Sequence, residues 1–151
     1  MSAPDLDELY QSIILDHYRR PRNFRALPEA TGEAAGRNPL CGDELTVWVK
    51  VDGDTIDEVT FQGSGCAISR ASASLMTAAV KGKTRAEADA LFTQVHAMVT
   101  GGADAPAPES LGSVRALAGV GRFPMRVKCA SLAWHALKAA LERPAGAVST
   151  E

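Results

Sequence analysis

The sequence has no Cys-x-x-Cys pair, no apolar run near the about 20 residues that cross a bilayer, and no basic patch interleaved with aromatics. The first absence separates it from zinc ribbons and fingers. The second and third argue against a membrane-spanning helix and against a nucleic-acid partner. Internal repeats are missing too. The opening Met1-Ser2-Ala3-Pro4-Asp5 carries acid early and lacks an apolar h-region, so no secretory signal is expected there. A cytoplasmic protein is expected, with neither membrane nor nucleic acid among its partners.

What is present fits one folded domain. The chain has 151 residues, 46% hydrophobic and 23% charged, and its 18 acidic and 16 basic side chains are interspersed, leaving a net charge of -2. A single domain is expected over residues 1–143, with 144–151 as a disordered tail after Pro144. The cysteine count is three. An odd number in a reducing compartment argues against a disulfide framework and leaves metal binding, catalysis or plain burial as a small hydrophobe.

Periodicity lays out the elements. Leu6, Leu9, Tyr10, Ile13, Ile14 and His17 form an i, i+3, i+4 stripe, with Asp5 as the expected N-cap and Pro21 beyond the end. Pro21 to Asp43 reads as irregular, with one short strand near Thr31–Ala35. Leu45–Val51 and Thr55–Gln62 alternate in the strand manner around Asp52-Gly53-Asp54, a hairpin turn. Helices are expected over Ala67–Val80, Arg85–Val99, Glu109–Ala118 and Val127–Leu141. The Gly/Pro/Ala stretch Gly101–Pro108 cannot be helical throughout. Strands followed by a run of helices predict an α+β domain, a small antiparallel sheet with helices packed on it.

All three cysteines fall at junctions. Cys41 lies in Asn38-Pro39-Leu40-Cys41-Gly42-Asp43, leading into the first long strand. Cys66 follows Gly63-Ser64-Gly65 and opens a helix, and Cys129 is expected at the start of the last helix. A thiol at a helix N-terminus meets unpaired N–H groups and the positive dipole end, which favour thiolate. Arg126 and Lys128 would act in the same direction, or be solvated first-turn cations. Three thiolates and the Asp43 carboxylate make the four ligands of a tetrahedral zinc site. Spacing alone favours a turn or capping role for Asp43. His17 shares the apolar face of the first helix and reads as a core residue, while His96 faces solvent and His135 is the one rival fourth ligand. Ser69, Ser72 and Ser74 lack the Gly-x-Ser-x-Gly elbow and read as small packing residues.

Three motifs in order resemble the IscU/NifU-like family: Asn38–Asp43, Gly63–Ser74 and Phe123–Cys129. The first helix and loop, Leu9-Tyr10, Ile14–Tyr18 and Pro21–Asn23, resemble it as well, so the likeness runs from about Leu6 to Leu141. In the iron–sulfur scaffold branch a histidine precedes the last cysteine; here that position is Lys128. Together with the insertion over about Gly101–Gly121, this matches the SufU branch. The resemblance implies an IscU-like fold and a zinc-dependent sulfurtransferase, one zinc per chain, held by Cys41, Asp43, Cys66 and Cys129. It implies Cys41 as the catalytic sulfur acceptor and a SufS-type cysteine desulfurase as donor. A SufB-containing scaffold or another acceptor is expected to take the sulfur on, and Arg126 and Lys128 are candidates to orient the site or steer the partner. The alternatives are a scaffold carrying a [2Fe–2S] cluster on the same cysteines, and a binding module with a purely structural zinc.

Overall fold

Two of the three strands alternate buried and more exposed side chains, and that alternation gives the sheet one apolar face. In a computed structural model describing residues 3–39, 42–101 and 109–142, the order is α1 (Ala3–Arg19), β1 (Gly32–Asn38), β2 (Asp43–Asp52), β3 (Thr55–Ser64), α2 (Ala67–Val80), α3 (Arg85–Thr100), a 3₁₀ segment (Glu109–Arg122) and α4 (Pro124–Glu142). The sheet is antiparallel throughout, in the order β1-β2-β3. Leu45, Val47 and Val49 of β2 and Ile56, Val59 and Phe61 of β3 point into the core. Gly53 turns the β2–β3 hairpin with a positive φ of 62°, which a residue bearing a Cβ adopts only at a cost.

The helices cover that apolar face. α4 packs on β1 and β2, α2 on β3, and α1 lies against α2 and the 3₁₀ segment. Met76, Trp134 and Leu137 meet the sheet residues in one continuous core. The connection from α1 to β1 is tied down at Asn23, whose carbonyl accepts from the Phe61 amide at 3.1 Å and whose Nδ2 donates to Thr77 Oγ1 at 3.1 Å. The α+β expectation is met: helices lie on a small antiparallel sheet.

Several boundaries differ from the sequence reading. α1 begins at Ala3, so Asp5 lies inside the helix rather than before it. β1 extends to Asn38, beyond the expected Ala35. The expected helix Glu109–Ala118 is 3₁₀ and runs to Arg122, broken at Gly112 (φ 59°, ψ -134°). α4 starts at Pro124 rather than Val127, because proline suits the first helical position. Cys129 therefore sits in the second turn, beyond the first-turn amides that the sequence reading invoked for it. Most of the Gly101–Pro108 linker and all of the 144–151 tail lie outside the described residues.

Candidate metal centre

Three chain segments meet at one end of the sheet. The pair Asn38↔Asp43 closes the β1–β2 connection. On the other side β3 ends at Ser64, and Gly65 leads to Cys66, the N-cap of α2. A Cβ at Gly65 would collide with the Asp43 carboxylate, and its φ of 155° also favours glycine. One at Gly63 would strike the Glu44 carbonyl. The Gly-Ser-Gly run thus brings the α2 N-terminus against Asp43.

Asp43 is almost fully buried, at 1% exposed. Its Oδ1 accepts from the Cys66 backbone amide at 2.8 Å, and its Oδ2 stands 4.0 Å from Cys66 Sγ. Asp43 thus holds the amide of the residue that caps α2, whose own sulfur does the capping, and this occupies only one of its two oxygens. Cys66 Sγ accepts from the Ser69 amide at 3.5 Å. From α4, the wholly buried Cys129 brings its sulfur to the same place; Asn38 Nδ2 donates to it at 3.6 Å, and the thiol faces the Met125 carbonyl at 3.9 Å.

One carboxylate oxygen and two sulfurs, from Asp43, Cys66 and Cys129, all lie within 4.8 Å of one another. A tetrahedral zinc with ligands at about 2.0–2.3 Å needs its donors a little closer than that. An ionised carboxylate this deeply buried needs a compensating positive charge, and among the described residues Asp43 has no ion pair. Two cysteine sulfurs with one carboxylate oxygen are donors that suit zinc. Cys41 lies outside the described residues.

Arg126 sits beside both thiols. Hydrogen bonding to Cys129, then the charges of Cys66 and Cys129, push the affinity of its guanidinium for its proton further above the usual range. Lys128 is exposed, and no described contact ties it to the cluster. His135 does not join the cluster: its ring lies 5.3 Å from Phe92 and 6.1 Å from His96, toward α3. His17 is buried with Nδ1 2.7 Å from Ser74 Oγ, and burial lowers its pKa, followed by the nearby Arg22 charge. Ser72 Oγ donates to the Ala130 carbonyl at 2.6 Å and accepts from Trp134 Nε1 at 3.1 Å, a packing role. The residue that sequence reasoning missed is Asn38. Its signal was its place at the head of the Asn-Pro-Leu-Cys-Gly-Asp motif.

This donor set, at one end of an antiparallel sheet with flanking helices, is a candidate metal centre. The chain belongs to the NifU-like N-terminal domain family, whose model matches residues 9–146. It is 44% identical over 147 residues, 97% of this chain and 91% of the relative, to the iron–sulfur cluster assembly scaffold protein IscU of Streptococcus pyogenes serotype M1. It is 39% identical over 142 residues, 94% of this chain and 95% of the relative, to the zinc-dependent sulfurtransferase SufU of Bacillus subtilis strain 168. Among solved structures, one described as a scaffold protein for the SUF system of Fervidobacterium islandicum AW-1 superposes with a TM-score of 0.80 at 35% identity, covering 89% of this chain and 97% of that one. A NifU-like protein of Brucella abortus shares the fold, with a TM-score of 0.81 at 24% identity over 91% of this chain and 94% of its own.

Proposed function

We propose that this chain is a zinc-dependent sulfur carrier of cytoplasmic iron–sulfur cluster assembly, working as one domain over residues 1–143. Cys41, Asp43, Cys66 and Cys129 would hold one zinc per chain. The observation that carries this reading is the convergence of the Asp43 carboxylate with two thiols at a site that none of the three histidines joins. Cys41 is two residues before Asp43, so the chain tethers it within about 8 Å of that Cα. The name of the Bacillus subtilis relative supports zinc and sulfur transfer together.

Bound zinc would keep the thiols deprotonated while contributing no redox chemistry of its own. The chain's residues then divide the work. Cys66 and Cys129, fixed on α2 and α4, and the buried Asp43 form the permanent wall. Cys41, between β1 and β2 in the chain, is the nucleophile. Its thiolate attacks the outer sulfur of the persulfide on a SufS-type cysteine desulfurase. The desulfurase S–S bond breaks, that enzyme's cysteine leaves as thiolate, and Cys41 carries the new persulfide. A thiolate of a SufB-containing scaffold takes the sulfur in the same way. Arg126 offsets the negative charge that gathers on the sulfurs, while Lys128 faces solvent and serves partner encounter.

Cys41→Ser should abolish sulfur acceptance from the desulfurase, read by alkylation and peptide mass analysis. Persistent transfer in that variant would overturn the assignment. The name of the Streptococcus pyogenes relative favours a second reading, a scaffold that builds a [2Fe–2S] cluster on the same cysteines. Stoichiometric iron and sulfide in the anaerobically purified protein would select it.

A further inference from the structure

The Cys129 sulfur has a neighbour that no ligand set includes. Asn38 is the last residue of β1, its side chain is buried, and its Nδ2 points at Cys129 Sγ from 3.6 Å across a sequence separation of 91 residues. Its backbone pairs with Asp43 and so closes the connection that carries Cys41. One residue thereby holds the Cys129 sulfur with its side chain and the Cys41 loop with its main chain. On energetic grounds a buried amide is satisfied only when its N–H groups find acceptors, and here the described acceptor is a sulfur.

We propose that Asn38 is a positioning residue of the metal centre: its side-chain amide donates to the Cys129 sulfur and makes that sulfur the retained ligand. The proposal rests on the reading of the site as a metal centre. A hydrogen bond to a metal-bound thiolate draws electron density away from the sulfur and fixes its direction, as outer-shell partners do for other ligands. Cys129 is thereby made a poorer nucleophile than a cysteine without such a donor. Its bond to the Met125 carbonyl belongs to the protonated thiol, since a thiolate has no proton to give. In the metal-loaded protein the Asn38 amide therefore remains as a partner that still donates. The arrangement accounts for a division of labour among three cysteines of the same chemistry: one is locked from β1, one caps α2, and exchange is left to Cys41.

The test uses Asn38→Leu, which keeps the volume and removes the donor, in the full chain. Zinc affinity is measured by competition with a chromophoric chelator, and the cobalt-substituted protein is examined for its sulfur-to-metal charge-transfer band. The proposal expects zinc affinity about 10–100-fold weaker than wild type and a band moved to longer wavelength, with one metal still bound at saturation. A merely structural role would lower the melting point of the metal-free chain and leave the band in place, which overturns the proposal. Equal affinity with an unmoved band overturns it as well. Should Asn38→Leu fail to fold, Asn38→Asp, of the same size and with no amide N–H, is held to the same two criteria. A wild-type chain that binds no metal would refute the metal reading itself, whereas metal binding that is blind to Asn38 would remove this inference alone.

Discussion

α2 carries two buried polar clusters of opposite character. Along its middle, each group has found a short bond: Ser74 Oγ lies 2.7 Å from His17 Nδ1 and accepts from the Arg22 amide at 2.8 Å, Thr77 Oγ1 donates to the Ser74 carbonyl at 2.8 Å, and Ser72 joins Ala130 and Trp134. At its N-terminus one short bond, from the Cys66 amide to Asp43 at 2.8 Å, stands among longer and incomplete contacts. Sulfur distances run from 3.5 to 4.0 Å, and the buried Ser69 Oγ has no hydrogen-bond partner among the described residues. Both clusters descend from the same stretch, Gly65–Thr77. A saturated network contributes rigidity and leaves nothing to offer a ligand. An unsaturated one costs stability unless a cation completes it.

That contrast is open to attack at four points. The largest effect is expected from Cys129→Ser, which should weaken zinc binding by more than the about 10–100-fold typical of a lost outer-shell contact. Elemental analysis after dialysis reads this directly, and stoichiometric zinc in the variant would break the contrast. Next comes Gly65→Ala, which drives a Cβ into the Asp43 carboxylate at a strained φ. It should cost about 1–3 kcal/mol in denaturant midpoint and weaken zinc binding as well, because Asp43 must move. Ser72→Ala should cost a similar about 1–3 kcal/mol by orphaning Trp134 Nε1, yet leave zinc affinity at its wild-type value. If zinc binding fell with it, the two clusters would not be separable.

The smallest effect is a pH dependence. His17 is held below its ordinary value of 6.5, chiefly by burial and then by the Arg22 charge, so the unfolded chain binds the proton more readily than the folded one. Its contribution is fully present above about pH 6.5 and is lost as pH falls toward its lowered folded value. His135 is lowered for a similar reason, burial first and then His96, and acts in the same direction. Melting midpoints from pH 7.5 to 5 should decline, and His17→Asn should flatten that slope. An unchanged slope would remove His17 from the saturated network.

Much of the frame was legible because it follows local periodicity. The alternation of Leu45–Val51 and Thr55–Gln62 marked two strands, and α2 spans Ala67–Val80 as its apolar spacing requires. Cys66 was recognisable as a helix opener because glycines precede it. The start of α4 was hidden, since Pro124 reads equally as a breaker and as a first helical residue, and its exposed neighbours Phe123 and Met125 break the amphipathic pattern. The 3₁₀ course of Glu109–Arg122 was hidden too, because Gly112 interrupts a spacing that otherwise suits an α-helix. At the site, the residue types were readable and their contacts were not. Asp43 reads as a turn or cap residue from spacing, and only the fold shows one oxygen on the Cys66 amide while the other faces sulfur. The bond from Asn38 to Cys129 joins β1 to α4 and has no signature in any local window.

The most direct test of the central claim is native mass spectrometry of the intact chain before and after anaerobic incubation with cysteine and its cognate desulfurase. The account predicts one zinc per chain at the outset and then the gain of a sulfur atom that maps to Cys41. Bound iron with sulfide, or zinc with no sulfur gained, would contradict it.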